Sequence, residues 1–288
     1  MKELAIVSGK GGTGKTTVTG AFAALSRNKV LADCDVDAAD LHLLLNPRIK
    51  EKTEFYSLKK AQIVREECRE CGLCETLCRF DAINSYTVDA VSCEGCAVCY
   101  HACPSGAIKM LDRIPGHWFI SETRYGPMVH ARLKVAEENS GKLVAKVREK
   151  AREIAEKENL DYIIIDGPPG IGCPVISTLT GVNVVLIVTE PTMSGLHDME
   201  RIIGLTRHFN IKTLICVNKY DLNLQNTEKI EEYCRGHGLE VIGRIPFDRE
   251  VVDALVHGKI AVEHSEGRAA KEIQKIWERV FVELEKLS

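Results

Sequence analysis

Several things are scarce in this chain, and each scarcity removes a class of protein. No uninterrupted apolar run is long enough to span a bilayer, and the opening MKELAIVSGKGG lacks the long apolar stretch of a secretory signal. A cytoplasmic protein without a membrane span is therefore expected. The net charge is only −3, from 38 Lys and Arg against 41 Asp and Glu, so bulk electrostatics give no reason to expect a nucleic acid partner. No Gly/Ser-rich or Pro-rich linker divides the chain. At 288 residues it can bury a full core, as one large domain or as one domain plus a small insert.

Cysteine is abundant and unevenly spread. Of the 12 cysteines, eight fall in two runs, CRECGLCETLC and CEGCAVCYHAC. Cys68, Cys71, Cys74 and Cys78 map onto Cys93, Cys96, Cys99 and Cys103 by one constant offset, which also carries Ala82-Ile83 onto Ala107-Ile108. A shared offset at six positions indicates a duplicated unit. In a reducing compartment such cysteines read as metal ligands before disulfides. Two zinc knuckles are one alternative, but zinc takes four ligands, and a triplet plus a fourth cysteine suits it poorly. The spacing is that of bacterial ferredoxins, in which the last cysteine of each run ligates the other [4Fe–4S] cluster. One cluster would take Cys68, Cys71, Cys74 and Cys103, and the other Cys93, Cys96, Cys99 and Cys78. Pro104 follows Cys103 as in ferredoxins, whereas Arg79 stands after Cys78.

A second chemistry begins at the N-terminus. The apolar run ELAIV leads into SGKGGTGKTT, where Gly9, Gly14, Lys15 and Thr16 fit the phosphate-binding pattern Gly-x-x-x-x-Gly-Lys-[Ser/Thr]. Gly9, Gly11, Gly12, Thr13, Gly14 and Thr17 complete a loop whose N–H groups can curl around phosphates. Lys15 would neutralise β/γ-phosphate charge, and Thr16 would ligate Mg²⁺.

Lys10, just after the first glycine, makes this loop resemble the deviant P-loop of the MinD/ParA/Mrp family, which includes the nitrogenase iron protein. The resemblance covers residues 1–46 and 113–288. It implies ATP and ADP as ligands, ATP hydrolysis, and a face-to-face homodimer on ATP binding, with Lys10 reaching the partner's nucleotide. VLADCDVDAADLHLLL resembles the family's switch I, with Asp35 orienting the attacking water and touching the Mg²⁺ shell. DYIIIDGPPGIG resembles the Walker B strand and switch II, with Asp166 holding Mg²⁺ through water and the Gly170 N–H sensing the γ-phosphate. Asn218 is implied at the adenine, and Pro246 and Asp248 in the loop that closes over it. Asp37 and Asp40 receive no role.

The expected fold is α/β: a mostly parallel P-loop NTPase sheet with helices on both faces, plus a small inserted bacterial-ferredoxin-like α+β domain. The limits are 1–58 and 113–288 for the ATPase domain and 59–112 for the insert. Strands are expected near 3–7, 29–33, 161–165, 183–188, 213–217 and 240–245, with a closing helix that buries Ile273, Ile276, Trp277, Val280 and Leu284. Cys173 is expected to be a small buried thiol rather than a ligand. TRYGPMVHARL reads either as an exposed loop whose Arg124, Tyr125 and His130 could meet a partner or as a loop packing onto the sheet. Three functions follow: ATP-gated electron transfer to an unidentified redox or metalloprotein partner, metallocentre or iron–sulfur assembly, and a ParA-like positioning switch. The closed cysteine sets favour the first.

Overall fold

The computed structural model describes residues 1–57, 59–134 and 140–287. The expected domain limit at Leu58 and the terminal Ser288 lie outside them. The chain divides into two compact units, Met1–Lys52 with Trp118–Arg132 and Ser140–Ser288, and Thr53–His117 with Leu133–Asn139.

In chain order the elements of the larger unit begin with β1 (Lys2–Ser8), α1 (Lys15–Leu25), β2 (Lys29–Asp33), α2 (Leu41–Leu45) and β3 (Arg48–Phe55). The smaller unit holds β4 (Lys59–Ile63), α3 (Leu73–Leu77), β5 (Ile83–Asn84), β6 (Thr87–Val88), α4 (Val98–Ala102) and β7 (Ile108–Asp112). Then come β8 (Gly116–Thr123), β9 (Gly126–Leu133), α5 (Ser140–Glu158), β10 (Tyr162–Pro169), α6 (Cys173–Leu179), β11 (Val184–Thr189) and α7 (Met193–His208). The chain closes with β12 (Lys212–Asn218), α8 (Leu224–Gly236), β13 (Glu240–Ile245), α9 (Arg249–Val256), α10 (Ala261–His264) and α11 (Arg268–Glu285).

The main sheet runs β13-β12-β11-β1-β10-β2-β9-β8-β3. Every pair from β13 to β9 is parallel. Strands buried on both faces read as apolar runs, and β11 (VVLIVT) and β2 (KVLAD) are buried throughout. The closing helix meets its expectation: Ile273, Ile276, Trp277, Val280 and Leu284 form one buried stripe. Each such side chain contributes about 1.5–3 kcal/mol through burial. Gly243 of β13 lets that stripe approach, because a Cβ there would lie 2.3 Å from Ile276 Cγ1.

Two expectations fail. TRYGPMVHARL is not an exposed loop: residues 126–133 form β9, which joins β2 with Asp33 opposite His130. His130 is buried against Ser121 at 2.9 Å and stacked on Phe119, so it offers nothing to a partner. Arg124 and Tyr125 form the turn after β8 and both bond Glu263. Cys173 is exposed, because the turn after β10 delivers it to the first position of α6 at the surface.

A buried ion network anchors β1. Glu3 is paired with Arg148 at 2.5 Å and with Arg152. Arg148 also donates to the Ser177 and Thr180 carbonyls at 2.7 Å, tying α5 and the C-terminal end of α6 to the sheet.

In the smaller unit β4 pairs antiparallel with β7 and β5 with β6. Its apolar cluster has four buried members, Ala61, Cys74, Ile83 and Ile108, and Cys78, Cys93, Cys99 and Cys103 pack around them half-buried.

Candidate functional site

The C-terminal ends of the parallel strands meet where ligands of such sheets bind. A cavity of about 630 Å³ opens there, floored by residues 11–18 between β1 and α1. Two glycines have steric reasons to be glycine. Gly14 sits at φ 92° and a Cβ would lie 2.2 Å from Asn218 Nδ2, while a Cβ on Gly9 would lie 2.2 Å from Asp198 Cβ on α7. The Thr13 hydroxyl is buried in this loop without a hydrogen-bond partner among the described residues.

Beneath the loop lies a charge cluster. Lys15 Nζ is 3.2 Å from Asp166 Oδ1 and 3.3 Å from Asp35 Oδ2. Thr16 Oγ1 donates to Asp166 Oδ2 at 2.8 Å, and Thr19 Oγ1 to Asp166 Oδ1 at 2.9 Å. Sheet register explains the grouping, since Asp33 of β2 stands opposite Asp166 of β10. Burial pulls the Lys15 ammonium down, but the charges of Asp166, Asp35 and Asp33 outweigh it and hold the pKa above the ordinary lysine value. Burial and then the Asp166 charge push Asp33 well up, and its Oδ2 has no hydrogen-bond partner among the described residues. Burial, partly offset by Lys15, raises Asp35. One ammonium thus bonds Asp35 and Asp166 directly and lies in the field of Asp33.

The cavity lining unites Gly11, Gly12, Thr13, Gly14, Lys15, Thr16, Thr17, Asp35, Asn218, Pro246 and Asp248. Asn218 donates to the Thr13 carbonyl at 2.7 Å and accepts from the Lys219 N–H at 2.9 Å. Asp248 caps α9 and also accepts from the Ala269 N–H at 3.4 Å. Four anticipated residues lie off the lining. Gly9 packs on α7, Asp166 lies under the loop, and the Gly170 N–H donates to the Ser8 carbonyl at 2.9 Å. Lys10 folds onto its own chain, 2.5 Å from Glu190 and within 3.4 Å of the Thr192 and Ser194 hydroxyls. Glu190 also pairs with Lys219 at 3.4 Å, and Lys219 donates to the Gly12 carbonyl at 3.0 Å. Sequence reasoning missed Glu190 and Lys219 and an apolar wall of Leu43, Val251, Val252 and Leu255 beside the anticipated Ile273. Alternating leucines in DLHLLL and the paired valines of REVVDALV are the signals available for that wall.

The smaller unit contains a different kind of site. One cavity is lined by Cys68, Cys71, Cys74 and Cys103, and a second by Cys78, Cys93, Cys96 and Cys99. Each draws three cysteines from one repeat and one from the other. The Glu70 and Ala82 N–H groups donate to Cys68 and Cys78 Sγ at 3.4 Å. Among the described residues no three His, Cys, Asp or Glu side chains converge on a point suited to one metal ion.

A parallel sheet with a glycine-rich phosphate loop at its carboxyl edge, and a lysine, threonine and aspartate cluster below it, defines a P-loop nucleotide-binding protein. Residues 4–262 match the CobQ/CobB/MinD/ParA nucleotide binding domain, and the chain belongs to that family of P-loop ATPases. An uncharacterized protein of Methanocaldococcus jannaschii is 32% identical over 281 residues, covering 96% of both chains. The septum site-determining protein MinD of Bacillus subtilis is 25% identical over 290 residues, covering 97% of this chain and 89% of its own. The fold matches the cell division ATPase MinD of Pyrococcus furiosus with a TM-score of 0.58, 21% identity, and 100% and 99% of the two chains. It also matches the septum site-determining protein MinD of Pyrococcus horikoshii complexed with Mg-ADP, with a TM-score of 0.58, 19% identity, and 97% and 95% coverage. Among the described residues no helix is long and apolar enough to cross a membrane.

Proposed function

We propose that this chain is a Mg²⁺-dependent ATPase whose smaller unit, a bacterial-ferredoxin-like insert, carries two [4Fe–4S] clusters and exchanges electrons with a partner protein under control of the nucleotide state. The observation that carries the reading is the sorting of eight cysteines into two cavities of four, with Cys78 and Cys103 exchanged between the repeats. A single metal ion needs its thiolates within about 2.3 Å of one point, whereas a four-iron cluster spreads its ligands over four irons. The all-cysteine donor sets, with N–H groups bonded to Cys68 and Cys78, fit the latter. When bound, such clusters supply single electrons at potentials set by burial and by hydrogen bonds to sulfur. Cys71 and Cys96 are exposed, which gives a partner an approach to each cavity.

In the nucleotide site Lys15 neutralises Asp35 and Asp166. With MgATP bound, Lys15 would turn to the phosphates, and Thr16, Asp35 and Asp166 would hold the Mg²⁺, which would neutralise phosphate charge. Asp35 orients the attacking water, and the transferred phosphoryl charge is met by preorganised donors of the loop. Asn218, Pro246 and Asp248 border the base. The Gly170 N–H exchanges the Ser8 carbonyl for the γ-phosphate. Lys10 leaves Glu190 and reaches the nucleotide of a second copy, so ATP binding drives homodimerisation.

Protein purified without oxygen should hold about eight irons and eight acid-labile sulfides per chain. Its electron paramagnetic resonance spectrum after reduction should change when MgATP is added. Tightly bound zinc without sulfide would overturn the cluster reading. Identical spectra and identical midpoint potentials with and without ATP would replace gated electron transfer by a cluster-carrying role. Lys15→Ala should abolish ATP turnover; retained turnover would sink the assignment of this loop.

A further inference from the structure

A second cavity, of about 720 Å³, lies at the outer edge of the main sheet between α8, β13 and α11. Its lining meets that of the nucleotide cavity only at Pro246. Six cations surround it, against two acids, in a chain whose net charge is −3. Arg244 is paired with Glu231 at 2.5 Å, and Lys275 with Glu272 at 2.6 Å. Arg279 bonds the Ile242 carbonyl at 2.8 Å, and Arg235, Arg268 and Lys271 have no ion pair among the described residues.

Three features set this lining apart from a solvated face. The cations converge from three elements on one concavity whose size falls in the range of small-molecule sites, about 300–1,000 Å³. On α11 the positions 268, 271, 275 and 279 step by three and four, so four cations share one helix face with Glu272 while the opposite face is core. Arg268 and Lys271 stand in the first turn of α11, which has no acidic residue, although a helix N-terminus disfavours positive charge. Four of the six cations are arginines, whose planar forks pair with phosphoryl or carboxylate oxygens two at a time. The lining's one aromatic side chain, Tyr220, has the Arg244 guanidinium over one ring face, 5.9 Å from the ring centre.

We infer that this cavity is a binding site for a small polyanion bearing two or more phosphoryl groups, separate from the nucleotide site. Arg268, Lys271 and Arg235 hold the phosphoryl oxygens, with Arg279 and Arg244 beside them on the lining.

The test is calorimetric titration of the full, iron-loaded chain with inorganic tripolyphosphate, after the phosphate loop has been saturated with MgADP. One further site per chain is expected, weakening as salt is raised. The pair Arg268→Gln and Lys271→Gln should weaken it about a hundredfold, tenfold for each charge-assisted hydrogen bond removed. Arg235→Gln alone should cost about tenfold, and Arg268→Lys should cost less than Arg268→Gln. MgADP binding, measured in the same experiment, should be unchanged in all variants, so a failure here stands apart from a failure of the nucleotide reading. A titration without heat beyond the MgADP-filled site would overturn the inference. So would an unchanged affinity in the double variant with a wild-type melting curve. Tighter binding of hexaglutamate than of tripolyphosphate would overturn the phosphoryl assignment in favour of an acidic protein segment.

Discussion

The two units prepare for their ligands in opposite ways. In the larger one the nucleotide cavity is organised by the chain's own charges: Lys15 stands where a cation is needed, and a sheet buried on both faces holds it there. In the smaller one Cys74 belongs to a four-residue apolar cluster, and four more of the cavity cysteines pack against it half-buried. Units of this size bury little apolar surface and fold with a thin margin, which bound metal widens. One site is therefore prepared before its ligand arrives, whereas on the proposed function the order of the other would depend on the clusters it holds.

Iron removal is the sharpest way to break this contrast. Treatment with a chelator under reducing conditions should abolish slow hydrogen exchange across residues 53–117 while leaving β1, β10 and β11 protected. Protection surviving in both units would end the distinction. Next in size is the ion network of the larger unit. Glu3→Ala strands Arg148 in the interior and should cost about 3–5 kcal/mol in denaturant unfolding, because an unpaired buried charge is left behind. A loss under about 1 kcal/mol would mean that water reaches the pair.

A third prediction concerns pH. Burial, with the charges of His42 and Arg132, holds His130 at about 4 in the folded protein, below the value of 6.5 for a free imidazole. The unfolded chain therefore binds a proton that the native chain refuses. Stability of the larger unit should be full above pH 6.5 and fall as pH drops toward 4, by up to about 3 kcal/mol from this group. His130→Asn should flatten that part of the profile relative to wild type; an unchanged slope would assign it elsewhere. The smallest effect is expected at Glu190, whose pair with Lys10 is partly exposed and worth about 1 kcal/mol. Glu190→Gln should shift ATP-dependent dimerisation, followed by light scattering, to a several-fold lower protein concentration. A shift to higher concentration would give Glu190 a role in the dimer.

Contiguous signals were legible before the structure. The phosphate loop, the strand ends carrying Asp35 and Asp166, and the α11 stripe each lie in one short stretch with its own periodicity. The cysteine repeat was legible too, because its constant offset lies within one stretch of chain. The β8–β9 hairpin was not, because Gly126-Pro127 and the charges around them look like a loop, and only pairing with β2 buries His130. The cis partner of Lys10 was hidden for the same reason: Glu190 is 180 residues away and meets Lys10 only because β1 and β11 are neighbours. The cationic cavity gathers residues 235, 244 and 268–279, and no single window of sequence holds more than part of it.

The exchange of one cysteine between repeats has a consequence for symmetry. Neither 25-residue half contains a complete set, so a peptide carrying one repeat could not close a cavity from its own cysteines. Two identical copies could, each lending its last cysteine to the other across a twofold axis. The smaller unit is in this sense a dimer written on one chain, and α3 and α4 pack together where the two halves would meet. Loss of Cys78 or Cys103 would then injure the half of the unit in which it does not lie.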